Sequence, residues 1–99
     1  MKILFFGQKN SYYSNKAIKL LKQFTPQLTI VLSSVRNSEF PKKYLNWKGD
    51  YIFSFENYYI IPESLIENSS IAINIHPSSP EYRGSGGANW AIYDNKEVF

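Results

Sequence analysis

The 99-residue sequence predicts an α/β fold, a Rossmann-like and mainly parallel sheet with flanking helices. Three observations predict it. Short apolar runs recur along the chain with little internal alternation, as strands covered on both faces require. Between the first two runs lies a stretch whose apolar residues recur at helical spacing. The composition, 43% hydrophobic and 17% aromatic against 19% charged, folds around a core rather than staying disordered, and the length suits one small domain.

The elements follow in order. "KILFF" (2–6) is the first strand. Ser14 is a candidate N-cap for a helix running to Phe24, ahead of Pro26. Its apolar side is Ala17, Leu20, Leu21 and Phe24; Lys16, Lys19 and Lys22 line the other side. "LTIVL" (28–32) is the second strand and completes a βαβ unit. The segment 33–50 is polar and broken by Pro41 and Gly49, which reads as loop with one helical turn at most. "YIFSF" (51–55) is the third strand. Pro62 suits the first turn of a short helix through Glu67, because proline lacks only a donor that would be orphaned there. "IAINI" (71–75) is the fourth strand. The glycines of "RGSGGANW" (83–90) allow a tight turn into a further helix containing Trp90 and Ile92. In a Rossmann-like half the fourth strand is expected beside the first. If the sheet stops there, its outer edge is exposed, and a homo-oligomer through that edge is expected.

Cysteine is absent, which excludes disulfides and thiolate chemistry. The N-terminal apolar run ends at Gly7 and Gln8, too short for a secretory leader or a membrane span. A cytoplasmic protein with no membrane partner and no metal site is expected. Net charge is +3, but residues 1–48 hold eight lysines and Arg36 against Glu39, a net +8, while residues 49–99 carry −5. The basic half fits either a solvated helix face or a footprint for phosphates.

The one histidine stands in "AINIHPSSPEYRGSGG" (72–87). Strand alternation puts Ile71, Ile73 and Ile75 on one face and Ala72, Asn74 and His76 on the other. Asn74 and His76 fall at the carboxyl end of the strand, where open α/β sheets bind ligands. An amide that donates to a developing oxyanion beside an imidazole that moves a proton suits acyl transfer; a hydrogen-bonded histidine at a strand end is the ordinary alternative. The glycine-rich loop is not GxGxxG, since Gly84 and Gly86 would put Asn89 at the last glycine position, so a dinucleotide cofactor is not expected.

"DYIFSFENYYIIPESLIE" (50–67) followed by "AINIHPSSPEYRGSGGANWAIYDNKEVF" (72–99) resembles the N-terminal half of the formyltransferase catalytic domain. Members of that family transfer a formyl group from 10-formyltetrahydrofolate. The resemblance covers residues 50–99 closely and 1–32 as a generic start. It implies that Asn74 steadies the formyl oxygen and that His76 handles protons as the amine attacks. It implies a folate site at "NYYIIP", with main-chain groups of Tyr59 and Ile61 binding the pterin edge and Tyr58 and Ile60 as apolar neighbours; a buried strand end is the alternative there. The family's third catalytic residue, an aspartate, is expected beyond Phe99. Asp94 does not replace it, since it falls in the helix-end segment "AIYDN". Residues 1–99 would then form a partial catalytic domain, inactive alone.

The compact His76-Pro77-Ser78-Ser79-Pro80, followed by Glu81, Tyr82, Arg83 and Gly84, is one residue shorter than the form found in methionyl-tRNA and glycinamide ribonucleotide formyltransferases. It is more similar to formyltransferases acting on nucleotide-linked amino sugars, with Tyr82, Arg83 and Gly84 as substrate loop. An amino-sugar nucleotide is therefore the first expected acceptor and tRNA the second. A non-catalytic binding module derived from the same fold is the alternative of another class.

Overall fold

The computed structural model describes residues 1–34, 39–77 and 88–93, with side chains described as far as Ile75. The elements are β1 (Lys2–Gln8), α1 (Tyr12–Lys22), β2 (Gln27–Ser33), a 3-10 turn (Lys42–Tyr44), β3 (Gly49–Phe55), α2 (Glu63–Ile66), β4 (Ser69–Pro77) and β5 (Ala88–Tyr93). They build one sheet in the order β2-β1-β3-β4-β5. The first four strands are parallel and β5 runs antiparallel to β4. The class is α/β with a Rossmann-like parallel sheet and flanking helices, as the periodicity predicts.

Three expectations are corrected. The third strand, not the fourth, lies beside β1, with Leu4 opposite Ile52. Both sides of β1 are taken by β2 and β3, so β4 pairs with the free side of β3 instead. The outer side of β4 is not an exposed edge either. It pairs with β5 from Ala72 opposite Tyr93 to Pro77 opposite Ala88, so association through a bare β4 has no basis. The segment with Trp90 and Ile92 is therefore a strand, not a helix. Six residues rich in aromatic and β-branched types suit a strand, and the outer backbone groups of β4 supply partners that a helix would leave unpaired.

The helix α1 starts three residues earlier than expected. Ser11, in extended conformation, is the N-cap, and its Oγ accepts from the Ser14 amide at 3.2 Å. Ser14 is instead buried inside the first turn. Of the apolar side assigned to this helix, Ala17 and Leu21 are half-buried, while Leu20 and Phe24 are exposed at 55% and 67%. The three lysines are exposed, as a solvated face requires.

The core lies on the other face of the sheet. Leu4, Phe6, Ile52 and Ala72 pack there against Leu65 and Ile66 of α2 and against Ile61. Phe40, Tyr44, Trp47 and Tyr59 close its margin, Phe40 meeting both the Phe6 and Tyr59 rings with centroids 5.7 Å apart. On the α1 face, Ile3 and Phe5 are buried, and Tyr51, Phe53, Ile71, Ile73 and Ile75 are half-buried. Gly7 lets α1 approach: a Cβ there would stand 2.6 Å from the Phe5 ring and 3.1 Å from Ser14 Oγ. Among the described residues no helix is long and apolar enough to cross a membrane.

Candidate functional site

The order β2-β1-β3 reverses the direction of strand addition at β1, and the crevice at the carboxyl ends of β1 and β3 is where open α/β sheets place ligands. Both strands leave the sheet through residues with positive φ, Asn10 at 58° and Glu56 at 56°. The crevice is filled from within. Ser11 Oγ donates to Glu56 Oε1 at 2.5 Å, and Ser14 Oγ lies 3.4 Å from the same oxygen while accepting from the Gln8 amide at 3.0 Å. Gln8 Nε2 donates to the Tyr58 hydroxyl. The Glu56 carboxylate thus occupies the positive end of α1. A phosphate entering this crevice would meet a negative charge already in place.

One strand further along, a second set of bonds shapes the 57–61 segment. Ser33 Oγ, at the end of β2, accepts from the Tyr58 amide at 2.9 Å and stands 3.1 Å from the Gly7 carbonyl and 3.3 Å from Asn57 Oδ1, donating to one of these acceptors. Asn57 then holds Tyr59 at both ends: Oδ1 accepts from the Tyr59 amide at 3.0 Å and Nδ2 donates to the Tyr59 carbonyl at 2.9 Å.

These bonds bound a cleft of about 240 Å³ over the carboxyl ends of β3 and β4. Its walls are Asn57, Tyr58, Tyr59, Ile60 and Ile61; Ser54 and Asn74, paired across β3 and β4, line it from the sheet. Asn74 is 7% exposed. The cleft is smaller than the roughly 300–1,000 Å³ of a drug-sized ligand site, so it suits a single ring system held by a few polar anchors rather than a whole ligand.

The residues picked from sequence distribute as follows. Tyr58, Tyr59, Ile60, Ile61 and Asn74 come together around this cleft. Ile60 is 88% exposed at its lip, whereas Ile61 is buried in the core. The main-chain groups of Tyr59, expected to face a ligand, are instead both taken by Asn57. Those of Ile60 and Ile61 make no hydrogen bond among the described residues. The backbone of His76 pairs opposite Asn89, and strand alternation gives position 76 the same face as Asn74. The His76 side chain lies outside the described residues, as do Tyr82, Arg83, Gly84 and Asp94.

Gln8, Ser11, Ser33, Glu56 and Asn57 were not singled out from sequence. The available signal is that each ends a parallel strand or follows one within three residues, where ligand-facing polar groups concentrate. A larger groove of about 510 Å³ lies between α1 and Phe55, lined by Ala17, Leu20, Tyr13 and the stems of Lys16 and Lys19. It sits on the opposite face and lacks convergent polar groups, so the smaller cleft is the better candidate. No cluster of three or more metal-ligating side chains occurs among the described residues.

Comparison of the chain with family models, with curated proteins and with solved structures returns no match.

Proposed function

We propose that the protein serves formyl transfer from 10-formyltetrahydrofolate to a primary amine, most suitably that of a nucleotide-linked amino sugar. The observation that supports this reading is the cleft itself. Two segments that resemble separate parts of a formyltransferase, 57–61 and the strand bearing Asn74, line one cavity at the carboxyl ends of neighbouring parallel strands.

The donor supplies an activated formyl group. The amine nitrogen bonds to the formyl carbon, the bond from that carbon to the folate nitrogen breaks, and the proton lost by the amine goes to the departing nitrogen. Asn74, buried beside the cleft, is the residue to donate to the formyl oxygen as negative charge builds on it. His76, two positions further along the strand, is the residue to carry the proton. The main chain of Ile60 and Ile61 offers donors and acceptors to the edge of the pterin ring. A cytoplasmic setting belongs to the same proposal.

The test is incubation of the whole protein with 10-formyltetrahydrofolate and a panel of amines, following tetrahydrofolate release by absorbance. Release with an amino-sugar nucleotide is expected. Release with charged initiator tRNA alone would transfer the assignment to that acceptor. Failure to bind the donor at all would overturn the reading in favour of a module that uses the cleft for another ligand.

A further inference from the structure

Resting on the reading of this cleft as the folate site, we infer that Asn57 is a positioning residue that decides which main-chain groups face the pterin. Its carboxamide matches the donor and the acceptor of one residue together, accepting from the Tyr59 amide at 3.0 Å and donating to the Tyr59 carbonyl at 2.9 Å. Both polar groups of Tyr59 are thereby withdrawn from ligand binding. The Tyr58 amide is withdrawn as well, donating to Ser33 Oγ at 2.9 Å. The main-chain donors left to this wall are those of the next two residues, Ile60 and Ile61. Because Ser33 also contacts the Gly7 carbonyl at 3.1 Å, the clamp is anchored to the carboxyl ends of β1 and β2. The wall of the cleft is therefore fixed by strands that do not line it.

The chemistry of the clamp makes it testable by single-atom changes. Asn57→Asp keeps the acceptor for the Tyr59 amide but sets a carboxylate oxygen against the Tyr59 carbonyl, two acceptors facing each other. Protonating that carboxyl restores a donor. Asn57→Ala removes both bonds. Losing two neutral hydrogen bonds that preorganise a site corresponds to about a tenfold loss of affinity.

The experiment titrates wild type, Asn57→Ala and Asn57→Asp with tetrahydrofolate as probe at several pH values, with amide exchange measured in the free proteins. Asn57→Ala is expected to bind about tenfold more weakly, to raise KM for the formyl donor with kcat within about twofold, and to speed exchange of the Tyr59 amide without changing that of Ile52. Asn57→Asp should be weak at neutral pH and recover relative to wild type on acidification. Equal binding by all three proteins, or slow Tyr59 exchange in Asn57→Ala, would overturn the clamp. If wild type itself fails to bind tetrahydrofolate, the folate reading is lost and, with it, the role of Asn57 in pterin binding; the exchange data then show only whether the clamp exists.

Discussion

Replacing Gly7 by alanine tests how tightly α1 is seated on the sheet. The added Cβ would stand 2.6 Å from Phe5 Cε2, 3.1 Å from Ser14 Oγ and 3.2 Å from Leu32 Cδ2. Carbon atoms pack comfortably at roughly 3.5–4.0 Å, so the first contact alone requires an opening of about 1 Å. Phe5 is 1% exposed and has no free space to turn into. Relief must come from lifting α1, which stretches the 3.0 Å bond between the Gln8 amide and Ser14 Oγ. Overpacking of this kind costs roughly 1–3 kcal/mol, and the reduced freedom of the unfolded chain returns about 0.4–1 kcal/mol. Strain outweighs entropy, leaving a net loss of about 1–2 kcal/mol, or roughly 5–15 °C in Tm for a domain of this size. Thermal and urea unfolding followed by circular dichroism measure it. Alanine at Gly49 is the companion: it meets the Trp47 ring, packed against the core, at 2.5 Å and the Lys2 carbonyl at 3.0 Å, so a loss of similar size is expected. A Gly7→Ala protein as stable as wild type would refute the claim that α1 is seated against this glycine.

Other substitutions probe separate parts of the molecule. Leu65→Ala, at a fully buried position of α2, should destabilise by about 2–5 kcal/mol in urea titrations, and a loss below about 1 kcal/mol would contradict its place in the core. Glu56→Gln keeps the shape but removes the charge held by Ser11 and Ser14; a loss of about 1 kcal/mol is expected, and unchanged stability would mean that the carboxylate contributes nothing to the start of α1. On the proposed reaction, Asn74→Ala should lower turnover by about 10²–10³-fold and His76→Asn by about 10²–10⁴-fold, both in folded protein. Near-wild-type rates in either variant would remove that residue from the mechanism.

The four parallel strands were legible because each is an apolar run buried on at least one face, and their boundaries fall within a few residues of the observed ones. Their lateral order was not, since alternation of strands and helices specifies direction but leaves open which strand the chain returns beside. The start of α1 was ambiguous for a local reason. Ser11 and Ser14 both bond backbone amides near the helix start, and only the fold shows that Ser14 turns to Gln8 and Glu56 while Ser11 caps. β5 was misread because glycines before an apolar segment resemble a helix start, although Trp90, Ile92 and Tyr93 favour a strand over so short a span. In the cleft, Asn74 could be picked out from strand alternation, whereas 58–61 was named only on the resemblance. Asn57 and Ser33 could not, because their importance lies in bonds between residues 24 and 25 positions apart.

The mixture of spans among the bonds at the carboxyl ends of β1, β2 and β3 has a kinetic consequence. Ser33 reaches Gly7 across 26 residues, within the β1-α1-β2 unit, whereas Ser11 reaches Glu56 across 45 and Gln8 reaches Tyr58 across 50. Closing longer loops costs more entropy before any contact rewards it, and non-local parallel pairing slows folding. The βαβ unit should therefore gain protection from exchange first, and the docking of β3 that brings Glu56, Asn57 and Tyr58 into place should come later. In pulse-labelled refolding, amides of β1 and β2 would be protected before the Tyr59 amide. The ability to bind a ligand would be the last property the refolding chain recovers.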